Sequence, residues 1–538
     1  MEKAYNLLDE KWILATDVNG KSSSYSLKEI FANAHEIKQL SGEMATQDVA
    51  VLRLLLAIMH CIYTRKPEYQ EARENLQKKV VLDIWKNLYE RGQFDFDEFD
   101  VYLESYRDRF YLIHPERPFY QVANMQFGTP NKSSKLVGSL SESNNKLRLF
   151  QTREGIGKSR IDLPEAARWL IHLNSYDDVS LKQPKELKKE GKSPSAKLGW
   201  LGQIGLVCVV GKNLFETLML NCPMYCVTSG FWDDGQAPWE LEIPRESERT
   251  LFNINNSQIN LLTFQSRRIK LHIVKEKVEG YIILAGDYFE NENVFSEQMT
   301  AWKIVKNVYK PQRHDPSKQF WRGLTAQIKE TDSDKVSGVV KWFCELKLHR
   351  IIPVDTVIIR ATAIKYDIKQ AASQPFEDYW EDEISLSSDI LPLDVENYWI
   401  VSIDKVLKMT DDMVKFLGFF AVNIEKAKVK SDTKDIGEGM RKIAKEEAYF
   451  RLDEPFRMWL ASINPSTDDQ NKKLFEWLGI ARNIVITIGK ELVENAGTKA
   501  IVGRIENDEP FSAAKSYLIF QRSINKIYYP SEKEGLNE

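Results

Sequence analysis

From about residue 400 onward the chain repeats one pattern four times: apolar residues spaced three and four apart, over segments long enough for several helical turns. The first segment carries Val406, Met413, Leu417, Phe420 and Ile424. The second, roughly 436–462, carries Met440, Ile443, Phe450 and Trp459, with Pro455 as a kink. The third carries Leu474, Leu478, Ala481, Val485, Ile488 and Leu492. The fourth, opened by Pro510 near its first turn, carries Ala513, Tyr517, Phe520, Ile524 and Ile527. Four amphipathic helices joined by short or medium links bury their stripes best against one another. The pattern therefore predicts a four-helix bundle over 396–538.

The preceding residues, 1–395, read differently. Ser26 to Arg91 is largely helical, with Gly92 placed to stop the last helix. A loop-rich zone runs from about Phe110 to Leu163. Asp162 then offers an N-cap, with Glu165 three places on. Between Val207 and Ala363 come short β-type runs, among them Lys270–Val274, Gly280–Ala285 and Thr356–Ala363. The expected fold class is α+β, a large mixed α/β N-terminal domain followed by the bundle.

Bulk properties exclude several function classes. A chain of 538 residues buries a large core without disulfides or metals. Its five cysteines are scattered and odd in number, which fits a reducing cytoplasm. Cys222 and Cys226 lack a second pair or a nearby histidine to complete a zinc site, and read as small buried hydrophobes. Glu2, Lys3, Asp9, Glu10 and Lys11 interrupt any apolar run at the start, so no secretory signal is expected. No stretch reads as the ~20 apolar residues of a membrane span, so no membrane partner is expected either. The net charge of −4 argues against a general DNA-coating protein. It leaves room for a reader that uses local basic patches.

Motifs for catalysis are missing. Gly155-Ile156-Gly157-Lys158-Ser159 looks like a phosphate loop, but Thr152 stands where the first glycine is required. Neither a Gly-x-Ser-x-Gly elbow nor a His-Glu-x-x-His pair occurs. His314-Asp315 has no partner spaced for a metal and reads as a surface loop. The acidic run Glu377, Asp378, Glu381, Asp382 and Glu383 reads as a solvated loop or helix face. The chain is thus expected to be no enzyme and to carry no cofactor or metal.

Local charge is more informative. Residues 130–160 hold seven basic side chains (Lys132, Lys135, Lys146, Arg148, Arg153, Lys158, Arg160) against Glu142 and Glu154. Residues 182–197 hold Lys182, Lys185, Lys188, Lys189, Lys192 and Lys197 against Glu186 and Glu190. Both lie in Gly/Ser/Pro/Asn-containing loops, where long side chains reach phosphates; such loops also serve solubility alone. Within the fourth bundle helix Lys515, Arg522 and Lys526 share one face away from the apolar stripe, either a track for a nucleic-acid backbone or ordinary solvated surface.

An ordered series of strings then resembles a known family. It begins with Tyr5-Asn6-Leu7-Leu8-Asp9-Glu10-Lys11-Trp12-Ile13 and Ser41-Gly42-Glu43, followed by His114-Pro115-Glu116-Arg117-Pro118-Phe119-Tyr120-Gln121. It continues through Gly199-Trp200-Leu201-Gly202, Asn213-Leu214-Phe215-Glu216-Thr217-Leu218 and Leu262-Thr263-Phe264-Gln265-Ser266-Arg267-Arg268. Met299-Thr300-Ala301-Trp302 and Phe320-Trp321-Arg322-Gly323-Leu324 complete it. In order and spacing these resemble the CasA family, the large subunit of the type I-E CRISPR Cascade surveillance complex. Most of the strings serve packing; Trp12, Phe119, Trp302 and Trp321 read as core aromatics.

The resemblance implies an antiviral function within an RNA-guided assembly. The family's large subunit recognises the protospacer-adjacent motif in duplex DNA and wedges the strands apart, starting guide RNA pairing and the R-loop. It also helps to recruit a helicase-nuclease. Implied partners are target double-stranded DNA, the other Cascade subunits with guide RNA, and that effector. Opening a duplex step costs a few kcal/mol, offset by inserted side chains and backbone contacts, and base pairing supplies the remaining specificity.

By the same resemblance, Tyr366-Asp367-Ile368-Lys369-Gln370-Ala371-Ala372-Ser373 is similar to the family's wedge hairpin. Gln370 would be the entering glutamine, flanked by Lys369 and Ala371. A mobile loop that touches the motif would lie near Leu149–Leu163, in the first basic patch. The family's glycine-rich reading loop corresponds to Tyr176–Leu181, which holds no glycine, so lysines of 182–197 would take its place. A lysine that the family inserts near Gly280–Asp287 has no counterpart among the local residues. Lys515, Arg522 and Lys526 would face the displaced strand. Two rivals stand beside this reading. One is a structural ribonucleoprotein subunit that binds guide RNA and partner proteins without reading DNA; the other is a metal-dependent nuclease using His314, Asp315 and the acidic run at 377–383.

Overall fold

The computed structural model describes residues 3–140, 153–179, 197–289 (without 244, 248, 250 and 253–255), 296–367, 376–391, 398–428, 437–506 and 509–528. It divides into two compact units. One comprises Met1–Lys318, Lys329–Val354 and Ile358–Glu383; the other comprises Gln319–Ile328, Asp355–Val357 and Ile384–Glu538.

The N-terminal unit is mixed helix and sheet, as expected. Its middle is the helix Ala45–Tyr63, whose residues are buried on nearly every side. By length and composition this helix is apolar enough to cross a membrane, which corrects the sequence reading. Its run holds Thr46, Gln47, Asp48, Arg53 and His60 among the apolar residues, which hid the stretch. Those groups are placed inside the unit: both Nη atoms of Arg53 bond the Glu297 carboxylate, at 2.8 and 2.9 Å. The indole of Trp200 donates to the same carboxylate at 2.9 Å.

Around this helix lie small antiparallel sheets. Ile13–Asp17 pairs with Ser22–Tyr25 on one side and Ile37–Leu40 on the other. Arg267–Val274 pairs with Lys277–Ala285, which also takes Thr129–Lys132 and the two-residue strand Ile161–Asp162. Thr356–Tyr366 lies between Leu206–Val210 and Phe376–Ser387. The N-terminal helices are legible from local chemistry. Ser26 and Glu29 form a reciprocal capping box at Leu27–Ala32, and Gly92, at φ +70°, follows the end of Lys78–Glu90.

The second unit is helical, with four long helices: Tyr398–Lys428, Glu438–Ala461, Gln470–Glu494 and Ala513–Tyr528. The first packs on the other three. Val406, Met413, Leu417, Phe420 and Ile424 are buried, as are Leu474, Leu478, Ala481, Val485 and Ile488. Gly489 lets two helices approach closely, since a Cβ there would sit 2.5 Å from the Phe520 ring.

Two details depart from the sequence reading. In Glu438–Ala461 the inward face is Ala444, Ala448, Leu452, Phe456 and Trp459. Ile443 and Phe450 are 57% and 73% exposed. Small alanines permit closer helix approach, so the buried face follows size as well as hydrophobicity. Pro510 opens no helix; it pairs with Ile505 in the hairpin Arg504–Glu506/Glu509–Phe511. The string around Trp321 belongs to this unit, where Trp321 stacks on Phe456 at 4.6 Å between centroids.

Candidate nucleic-acid interface

The helix Leu163–Tyr176 organises the candidate site. Its apolar positions Ala166, Ala167, Trp169, Leu170 and Ile171 are buried, and Pro164 sits in its first turn. Asp162 takes the N-cap backbone position, but its carboxylate does not cap the helix. The register Lys277↔Asp162 sets the lysine ammonium beside that carboxylate, and the two pair instead. Glu165 likewise turns outward, accepting from the Trp169 indole at 3.0 Å and pairing with Arg153 at 2.7 Å. Gly138 lies on the same helix, where a Cβ would stand 2.8 Å from both His172 and Trp169.

At the helix C-terminus one buried arginine gathers both roots of the lysine-rich segment. Arg267, at the start of Arg267–Val274, bonds the Asp177 carboxylate through Nε at 2.5 Å. Its Nη2 donates to the carbonyls of Asp178 and Lys197, at 2.9 and 2.8 Å. Gly199 N–H donates to the Asp177 carbonyl at 2.9 Å. A Cβ at Gly199 would fall 2.3 Å from the Ser175 carbonyl oxygen, so only glycine allows that approach. Asp178 and Lys197, on either side of residues 180–196, are therefore tied to one point.

The hairpin arms root at the same place. The Tyr366 hydroxyl donates to the Tyr176 carbonyl at 2.5 Å. Burial above all, with the Tyr176 phenol and the Asp177 and Asp178 carboxylates nearby, pushes the Tyr366 phenol well above its ordinary range, so it stays a donor. Gly202 makes room for it, since a Cβ there would meet the hydroxyl at 2.3 Å. Farther along, Lys365 pairs with Glu377 at 3.1 Å, and Arg360 pairs with Glu383 while bonding Gln39 at 2.9 Å.

A cavity of about 60 Å³ remains at this junction, lined by Gly138, His172, Tyr176, Asp177, Tyr366 and Phe376 among others. His172 stacks on Tyr176 at 5.0 Å, and its Nε2 lies 3.0 Å from the Thr46 hydroxyl. Burial pushes its pKa down to about 3, so the ring is uncharged at neutral pH. The arrangement is a hydrogen-bonded junction that brings together Gly138, Asp178, Lys197 and Tyr366.

The sequence-expected residues fall out unevenly. Lys369, Gln370, Ala371, Arg148, Lys182, Lys185, Lys188, Lys189 and Lys192 lie outside the described residues. Arg153 is engaged by Glu165, and Arg160 by Glu279 at 2.8 Å. The Lys158 carbonyl accepts from the Ser133 hydroxyl at 3.1 Å. Lys197 contributes its carbonyl to Arg267. In the helical unit Arg522 and Lys526 are exposed and Lys515 is half-buried, along one face of Ala513–Tyr528. The sequence reading missed Arg267, Tyr366 and Tyr176 as site-builders.

Other candidates resolve into structure. His314 Nε2 lies 3.0 Å from the Leu206 carbonyl, and burial lowers its pKa to about 4. Asp315 accepts from Ser317 and Lys318 instead. The acidic run is a strand, not a solvated loop or helix face: Phe376–Ser387 pairs its carboxylates with Lys365 and Arg360. Among the described residues no three His, Cys, Asp or Glu side chains cluster for a metal. Cys222 is buried and its thiol pushed up; Cys226, buried too, is held down by hydroxyl and amide donors of Ser229 and Thr228.

Comparison with known proteins sets these observations in a family. Residues 6–488 match the model of CRISPR-associated protein Cse1. A curated relative, CRISPR-associated protein CasA/Cse1 of Thermus thermophilus, is 30% identical over 336 residues, 60% of each chain. The chain thus spans about 60% of the length of that curated relative. Among solved structures, Cse1 of Thermobifida fusca superposes with a TM-score of 0.82 at 28% identity, covering 98% of both chains. Cse1 of Acidimicrobium ferrooxidans gives 0.76 at 22%, covering 98% of this chain and all of that one, and supports the fold alone. A chain from a CRISPR RNA-guided surveillance complex gives 0.73 at 14%, covering 97% and 100%, again a likeness of fold.

Proposed function

The chain belongs to the CRISPR-associated Cse1 (CasA) family, and on that premise we propose that it is the large, non-catalytic subunit of an RNA-guided surveillance complex. In this role it recognises the short motif flanking a target in duplex DNA and wedges the strands apart, so that guide RNA pairs with one of them. Its partners are target duplex, the other subunits with guide RNA, and a helicase-nuclease, and it works in the cytoplasm. The supporting observation is that the roots of the lysine-rich segment and of the hairpin meet at the C-terminal end of Leu163–Tyr176. Gly138, within the first basic patch, packs against that helix as well. The common root supports a reading in which three segments of suitable chemistry act on one duplex.

Gln370 is the wedge in this reading, with Lys369 and Ala371 beside it. A glutamine amide replaces base-edge hydrogen bonds while filling space between pairs. The test is strand opening by the assembled complex, followed with a fluorescent base analogue next to the flanking motif. Gln370→Ala is expected to keep assembly and lose opening; undiminished opening would remove the wedge assignment.

The engagement of Arg153 and Arg160 by glutamates favours a second reading for that patch, as a structural element of the ribonucleoprotein. Preference of the isolated chain for duplexes carrying one particular flanking motif would eliminate it.

A further inference from the structure

Two strings that had read as packing, His114–Gln121 and Leu262–Arg268, also meet at a cleft. Its walls include Arg109, Arg117, Arg245, Phe119, Trp239 and Gln265, and among the described residues no carboxylate lines it. Arg109 has no acidic partner within ion-pair distance among the described residues; its Nη2 donates to the Pro238 carbonyl at 3.0 Å. Burial, reinforced by the Arg117 charge, lowers its pKa from the usual arginine range. Arg117 is exposed and makes no ion pair among the described residues. Arg245 lies 3.0 Å from Asp287, which also serves Arg268, and its Nε is buried without a partner. Positive charge therefore exceeds negative charge at this cleft, against a floor of buried aromatic rings. An anion placed there would meet uncompensated guanidinium charge beside an apolar surface that strengthens the attraction.

The cleft is also built to be rigid. The His114 Nδ1 accepts the backbone N–H groups of Glu116 and Arg117, at 3.0 and 2.8 Å, closing the turn that carries Arg117. Tyr120 holds φ +54°, a left-handed conformation unfavourable for a bulky residue. Gln121 fixes the exit, donating to the Leu112 carbonyl and accepting from Leu271 N–H, at 2.9 and 3.0 Å. A strained turn held by these hydrogen bonds, presenting an arginine beside two others, suits recognition of one ligand geometry.

We propose that this cleft is a phosphate-binding site, in which the guanidinium groups of Arg109, Arg117 and Arg245 receive the oxygens of a single phosphate group. Planar guanidinium forks match phosphate oxygens two at a time, and the apolar floor strengthens those charge-assisted bonds. The phosphate belongs either to a nucleic-acid strand or to a free ion. The site is independent of the duplex-opening role assigned to Gln370.

The test uses phenylglyoxal labelling of arginines in the full-length chain, read by peptide mass spectrometry. It is run with inorganic phosphate, with a five-residue oligothymidylate, and with chloride at matched ionic strength. Labelling of Arg117 is expected to slow several-fold with a phosphate-bearing probe and not with chloride. Protection by both probes means that free phosphate suffices; protection by the oligothymidylate alone means a strand phosphate. Arg109→Gln, checked for an unchanged melt, is expected to raise the concentration needed for half-protection about ten-fold. Equal labelling of Arg117 in all three solutions, or protection unaffected by Arg109→Gln, overturns the site. Gln370→Ala is expected to retain full protection, so loss of strand opening and loss of this site are told apart.

Discussion

Arg267 bonds the carboxylate of Asp177 through Nε at 2.5 Å, and both side chains are almost wholly buried. Removing one member leaves a buried charge alone. Arg267→Met is therefore expected to cost about 3–5 kcal/mol in urea denaturation of the N-terminal unit. Hydrogen exchange at the Gly199 amide, which donates to the Asp177 carbonyl, should accelerate with it, because the guanidinium no longer holds the two segments together. Arg267→Lys keeps the charge but cannot reach three acceptors at once, so it is expected to rescue little.

Tyr366 and Gly202 form a second dependent pair. Tyr366→Phe removes the bond to the Tyr176 carbonyl and should cost about 1–3 kcal/mol. Gly202→Ala drives a Cβ to 2.3 Å from the Tyr366 hydroxyl and should cost about as much through overpacking. With the hydroxyl gone the nearest clash disappears, so the double variant is expected to lose less than the two single losses together. Thermal melts of the four proteins measure this coupling.

Asp48 carries a pH dependence. Burial is the main cause of its raised pKa, opposed by the Gly42 N–H and aided by Glu381, which brings it up to about 7 from the ordinary 3.8. The folded protein thus keeps a proton that the unfolded chain releases, and stability from this group is lost as pH rises from about 4 to about 7. Asp48→Asn keeps an acceptor for Gly42 without the charge. Its melting temperature is expected to exceed that of the parent at pH 8 and to match it near pH 4.

On the helical unit, changing Lys515, Arg522 and Lys526 together to Gln should leave stability within about 0.5 kcal/mol. If the face follows the displaced strand, the salt dependence of target binding by the assembled complex should flatten, by about 0.7 in slope for each phosphate no longer neutralised. An unchanged slope assigns these residues to solvent alone.

The sequence made the helical unit legible wherever large apolar residues mark one face, as in Val406 to Ile424. It misled at Ile443 and Phe450, because hydrophobicity does not reveal which face a neighbouring helix can approach; Ala444 and Ala448 decide that by being small. Pro510 was ambiguous for a similar reason, since proline suits both a first helical turn and an edge strand. At the candidate site the basic segments were visible as composition. Their common root was not, because Arg267, Tyr366 and Tyr176 lie far apart in the chain and bond through backbone carbonyls that carry no residue signature. The glycines Gly199 and Gly202 were the available signal, each standing where a single added carbon would strike another part of the chain.

The closure made by Arg267 has an evolutionary consequence. Because both roots of 180–196 are tied to one guanidinium, added or deleted residues between them change closure entropy only slowly, about 0.6 kcal/mol for each doubling of length. The sequence between those roots is therefore expected to tolerate exchange, insertion and deletion while the packing around Arg267, Asp177 and Gly199 is kept, as a module is swapped on a fixed mount.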